Sequence, residues 1–143
     1  MMGEMKRTLP ALPVIALVLL VAATAHAGPT FPEVSVWEGR YVCAQGLTGL
    51  TLTIRPTGPD RVSAIFAFHP DPSNPDVPSG SYSMTGVLSA SSEIVHLVPE
   101  RWIQRPAGYV MVGMSGTFDV RGGVMRGRID HPSCVDFELR RVR

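Results

Sequence analysis

The residues able to do chemistry are few and scattered. Three histidines, His69, His96 and His131, lie beyond residue 27. Imidazole is the commonest metal ligand and general base, but these three share no local ligand spacing, and two of them precede prolines. They read as turn and surface residues, and no metal site is expected. The chain has no H-E-x-x-H zinc motif, no G-x-S-x-G nucleophile elbow and no Gly-rich phosphate loop. Gly113-Met-Ser115-Gly116 holds part of a serine motif but fits a bulged strand better. The aspartates of the Pro-rich stretch 69–80 lack the glycine and ligand ladder of a calcium loop. No catalytic residue and no cofactor are expected. A triad assembled only in space is the one enzymatic option left open.

Residues suited to binding are better represented. Tyr82-Ser-Met84-Thr-Gly86 is echoed by Tyr109-Val-Met111-Val-Gly113. Strand alternation would place each Tyr, Met and Gly on one face. Tyr82, Met84, Tyr109 and Met111 then either form a flexible apolar wall with hydroxyl handles or fill a core. Trp102, bracketed by Arg101 and Arg105, reads either as a binding anchor or as a hydrophobic cap under snorkelling arginines. The Pro-rich stretch 69–80, which contains Ser79, is a candidate recognition loop with contacts expected from Pro70 to Tyr82, because a pre-ordered loop loses less entropy on binding.

The first 27 residues set the compartment. Met5-Lys6-Arg7, an apolar run over 11–23 and Ala25-His26-Ala27 together have the form of an export signal. The run is short of the ~20 apolar residues of a good membrane span. No cysteine follows it as a lipid-anchor site. An exported monomer, periplasmic or secreted and without a stable membrane anchor, is expected. Lys6, Arg7 and Glu4 account for two of the 13 cations and one of the 12 anions, which leaves eleven of each in the mature part. A neutral domain lacks the long-range field that draws proteins to nucleic acid. The two cysteines, Cys43 and Cys134, read as a disulfide in an oxidising compartment, with two separate buried thiols as the alternative. Loop entropy at that separation amounts to about 4–5 kcal/mol.

The elements that must position these residues are all of one kind. After a leader over 28–36, the domain 37–143 shows no convincing helical period. Short β-type runs recur at 39–45, 50–54, 62–68, 82–88, 94–98, 109–120, 124–130 and 135–139, separated by Gly, Pro, Asp and Ser. Trp37 opens the first run and is expected to plug one end, and Pro99 to Pro106 is expected to be a connection. The pattern predicts an all-β domain: a single antiparallel eight-stranded up-and-down β-barrel of calycin-like type, or alternatively a β-sandwich. The cysteines favour the barrel, since closure makes the first and last strands neighbours and brings Cys43 within bonding reach of Cys134.

Trp37-Glu-Gly39-Arg-Tyr41-Val-Cys43, with Cys134 near the end, resembles the opening of small exported bacterial β-barrels, above all the periplasmic C-type lysozyme inhibitor family. That family carries a Ser-Gly-x-x-Tyr inhibitory loop, and Ser79-Gly80-Ser81-Tyr82 is similar but one residue shorter. The resemblance implies an eight-stranded barrel and hydrolase inhibition. The expected function is that of an exported, non-catalytic binding protein and inhibitor of a hydrolase, with a carrier of a small apolar ligand as the alternative. The residues expected to bind are Ser79, Tyr82, Met84, Arg101, Trp102, Arg105, Tyr109 and Met111.

Overall fold

The computed structural model describes residues 34–121 and 123–143. The expected export signal at 1–27 and most of the expected leader lie outside the described residues. Eight antiparallel strands follow one another: β1 (Ser35–Cys43), β2 (Gly46–Gly58), β3 (Arg61–Pro70), β4 (Gly80–Ser89), β5 (Ile94–Gln104), β6 (Gly113–Asp119), β7 (Val124–Asp130) and β8 (Asp136–Arg141). Each pairs with the next, and β8 pairs back onto β1 to close a barrel. The sandwich alternative is thereby excluded.

Alternation explains why these residues form strands. In β2, Leu50, Leu52 and Ile54 point into the core while Thr51 and Thr53 face outward. In β3, Val62, Ala64, Phe66 and Phe68 do the same. A β-branched or polar residue on the wet face and a large apolar residue on the dry face suits a half-buried strand. β1 begins at Ser35, two residues before the expected start. There the Trp37 indole donates to the Ser35 hydroxyl at 3.0 Å. Trp37 lies edge-on to Phe118 at 6.5 Å and fills that end of the barrel, as its position suggested. Closure runs from Trp37 opposite Arg141 to Tyr41 opposite Phe137. Cys43 and Cys134 form the expected disulfide just beyond that register.

Two expectations about the strands need correction. β5 does not stop before Pro99 but runs on to Gln104. Register shifts against β4 between Ser81 and Tyr82 and between Ser83 and Met84 absorb its extra residues. Proline, lacking a donor, is tolerated at bulges and edges. Pro99 sits at both, since β6 pairs with β5 only from Ile94 to Leu97. Conversely, β6 starts at Gly113, so Tyr109 and Met111 are not on a strand. The echo of Tyr82 and Met84 is therefore one of sequence and not of structure.

No bulge lies at Gly116, which pairs in register with Gly127. Both fall at inward positions between buried neighbours such as Met114 and Met125. A Cβ on Gly116 would run into the Arg126 carbonyl and come within 2.7 Å of the Gly127 Cα. The two strands approach so closely here that only hydrogen fits. Gly116→Ala should destabilise the oxidised protein by about 1–3 kcal/mol, the range for overpacking. Denaturant unfolding measures this, and a change within about 0.5 kcal/mol would contradict the close approach.

Candidate binding site at the barrel mouth

The end opposite Trp37 is built from the short turn after β1, residues 71–79, residues 105–112 and residues 131–135. The Pro-rich loop is pinned in place. The Asp71 carboxylate accepts from the Ser73 amide at 2.9 Å and the Ser73 hydroxyl at 2.6 Å. Its other oxygen pairs with Arg40 at 2.8 Å. The Asn74 side chain donates to the carbonyls of Gln45 at 2.8 Å and Leu47 at 3.1 Å, which ties the loop to the β1–β2 turn. Val77 is buried beneath, while Pro72, Pro75, Pro78 and Ser79 remain exposed. The expected stiff loop is thus held by side-chain hydrogen bonds as well as by proline.

A cleft of about 240 Å³ opens at this end, lined by Tyr41, Ala44, Gln45, Phe68, Tyr82, Gly108, Tyr109, Val110, Val112, His131, Ser133 and the Cys43–Cys134 bridge. Its floor is aromatic. Phe66 and Tyr82 stack at 4.8 Å, Phe68 and Tyr109 stack at 5.3 Å, and Trp102 stands edge-on to Tyr82 at 5.2 Å. Tyr41 packs edge-on against Phe66 at 5.3 Å. Its hydroxyl accepts from Gln45 Nε2 at 3.2 Å, and the same amide donates to Thr48 at 3.1 Å. Burial, and then the neighbouring Tyr109 phenol, push the Tyr41 pKa well above that of a free tyrosine. Tyr82 is likewise raised by burial. Both hydroxyls stay protonated across the physiological range. His131 Nδ1 accepts from the Ser133 amide at 3.1 Å, so the neutral ring carries its proton on Nε2.

The expected binding residues divide between core, mouth and exterior. Tyr82 and Met84 are fully buried. Tyr82 also donates its hydroxyl to the Val112 carbonyl at 2.8 Å and accepts from the Val112 amide at 3.1 Å. Its hydroxyl is engaged within the barrel, so Tyr82 meets the cleft only as part of its floor, and Met84 belongs to the core. Trp102 is half-buried on β5, and the Arg105 guanidinium sits 5.7 Å from its ring centre. The indole's inner side packs against the core and its outer side stays accessible. Tyr109 and Met111 are half-buried and pack against the core. Arg101, Arg105 and Ser79 are exposed.

Tyr41, Gln45, Phe68 and His131 are not among the binding residues expected from the sequence. Tyr41 had a usable signal, because strand alternation puts it on the same face as Cys43 two residues on. The others come from separate loops and strands that only closure brings together.

The structure also shows a serine between a histidine and an aspartate, but in an order that does not activate it. On the outer face, Ser115 donates to Asp130 at 2.8 Å, and His96 Nδ1 lies 2.8 Å from the same hydroxyl. The serine proton goes to the carboxylate, so the imidazole acts as donor. A nucleophilic triad needs the imidazole in the middle, as base. Among the described residues no group of three or more His, Cys, Asp or Glu is placed to hold a metal ion.

Two outcomes follow from this geometry. Tyr82→Phe leaves the Val112 amide and carbonyl unpaired in a buried setting, which should cost about 1–3 kcal/mol in an unfolding measurement; an unchanged stability would contradict the bond. Asp71, whose pKa is lowered by the Ser73 bonds and then by Arg40, favours folding when ionised. Its contribution should be complete above about pH 5, since a free aspartate titrates near ~3.9, and should fade as pH falls through the lower native value. Asp71→Asn should therefore flatten the acid limb of the stability curve, and an identical limb would contradict the assignment.

Comparison of the chain with protein-family models, with curated proteins and with solved structures finds no match.

Proposed function

We propose that this chain is an exported, non-catalytic protein-binding module whose barrel mouth receives one anchoring side chain of a partner. The volume of the mouth cleft, about 240 Å³, carries this reading. Pockets for free small molecules run to roughly 300–1,000 Å³. A smaller open cleft with aromatic walls suits a single apolar or aromatic side chain presented by a protein. The pinned loop 71–79 supports the same reading, because a rim already fixed loses little entropy on docking. Inhibition of a hydrolase is the form of binding the resemblance implies, with the rigid rim entering the enzyme's cleft.

The carrier reading finds less support. Phe66, Tyr82, Met84, Leu97 and Met114 meet in the interior with essentially no exposure, so side chains occupy the space a cargo would need. The disulfide and the signal-like first 27 residues support export.

A photo-crosslinking residue at Val110 on the mouth, compared with one at Ile94 at the far end, tests the proposal in extracts of the exported fraction. A protein adduct from position 110 alone is expected, with Tyr109→Ala weakening capture at least ~30-fold, as for a hot-spot anchor. Equal adducts from both positions, or a small-molecule adduct in native mass spectrometry with no protein product, would overturn it.

A further inference from the structure

Two polar groups on the walls of the mouth cleft are held in place with one hydrogen-bonding atom each to spare. Thr48 donates its hydroxyl proton to the Gly46 carbonyl at 3.1 Å, so it meets the Gln45 side chain as an acceptor. That sets Gln45 Nε2 toward Thr48 and Tyr41 and leaves Oε1, an acceptor, without a partner among the described residues. The Gln45 backbone carbonyl is fixed in turn by the Asn74 side chain at 2.8 Å. Beside the disulfide, the Cys134 amide donates to the His131 carbonyl at 3.0 Å and the Ser133 amide to His131 Nδ1 at 3.1 Å. The ring is thereby held, and its Nε2–H, a donor, likewise has no partner among the described residues.

The rest of the lining narrows what can enter. None of the residues around the cleft is Asp, Glu, Lys or Arg. A charged anchor would lose its water there without gaining a counter-charge. The apolar part of the wall is aromatic, aliphatic and disulfide surface, which suits a ring. An apolar cavity of roughly 150 Å³ holds benzene, so a cleft of about 240 Å³ has room for a ring with a polar tip. A tip that both donates and accepts would satisfy Gln45 and His131 together. Phenylalanine does neither and tryptophan only donates, whereas the tyrosine hydroxyl does both from one atom. Histidine does both, but from two separate ring atoms and with little apolar surface.

We propose that the anchoring side chain received by the mouth is a tyrosine, its ring lying among Tyr109, Val110 and the disulfide, its hydroxyl donating to Gln45 Oε1 and accepting from His131 Nε2–H. The assignment rests on the reading of the mouth as a protein-docking cleft. A site whose polar atoms are already placed for a hydroxyl rejects the same side chain without one, because those atoms are then left unpaired. Both groups are fixed before binding, so little entropy is lost in meeting the hydroxyl.

NMR titration of the oxidised protein with N-acetyl-tyrosine amide and N-acetyl-phenylalanine amide tests it. Both amides are expected to shift the signals of Tyr41, Gln45, Tyr109 and His131, with the tyrosine amide binding at least ~fivefold more tightly. His131→Asn keeps an oxygen able to accept from the Ser133 amide and removes the Nε2 donor. It should lower the preference at least ~twofold while the phenylalanine amide binds as before, which shows that the mouth is intact. A smaller preference in the unmodified protein, or one that His131→Asn leaves unchanged, would overturn the tyrosine assignment and leave the mouth a protein-docking cleft. No shift at the mouth from either amide would also overturn it, and the crosslink from position 110 then decides the docking reading separately. Mouth shifts from N-acetylglucosamine and from neither amide would overturn both.

Discussion

Closure of β8 onto β1 is the constraint on which the rest of this molecule depends. The five residue pairs from Trp37–Arg141 to Tyr41–Phe137 turn two would-be edges into an ordinary ladder. They give the interior a single continuous surface to fill. They also set Cys43 beside Cys134, and the resulting bond holds the first and last strands together at the mouth. The ends of the domain are fastened again at the opposite pole, where the Val36 amide donates to the Arg143 carbonyl at 2.9 Å and the Val142 amide to the Val36 carbonyl at 2.8 Å. Closing a sheet this small demands strong bending, and the facing pair Gly116 and Gly127 lets β6 and β7 approach more closely than side chains would allow.

Filling the interior decides where binding can occur. A small eight-stranded barrel has room for side chains or for one small ligand, and here aromatic and methionine side chains take that room. Phe66 stacked on Tyr82, with Tyr41 and Trp102 edge-on around them, makes a solid plug beneath the mouth. The space left over lies above it, between Tyr109 and the disulfide. Rigidity accompanies the filled core. The Asp71 and Asn74 bonds and the buried Val77 fix the Pro-rich loop, so the rim is shaped before any partner arrives. The rim frames a concave cleft with aromatic walls.

How much of this was legible in the sequence varied with the range of the interactions. Leu50, Leu52 and Ile54, with threonines between them, announce their strand and its wet face because the strand period is local. The pair Cys43 and Cys134 announced closure because a disulfide is a long-range contact written in residue type. Residues 109–112 look as strand-like as 82–85, and alternation alone could not separate them. The difference is tertiary: the Tyr82 hydroxyl offers the Val112 backbone a better-buried pair of hydrogen bonds than the β5 edge does, and the chain dips inward. Pro99 hid the second half of β5 for a similar reason. Proline breaks a two-sided ladder, but nothing local reveals that β6 has already departed. The mouth cleft was the least legible feature. Its lining comes from three separate connections and three strands that only the closed barrel gathers, with Tyr41 beside Cys43 as its one early sign.

The central claim is that the barrel interior is full and that its capacity for apolar groups lies at the mouth. Xenon under pressure in crystals of the oxidised protein tests this most directly, because xenon enters any dry apolar space large enough to hold it. The account predicts density at the mouth, between Tyr109, Val110 and the Cys43–Cys134 bridge, and none inside. Xenon bound among Phe66, Met84 and Met114 would contradict it.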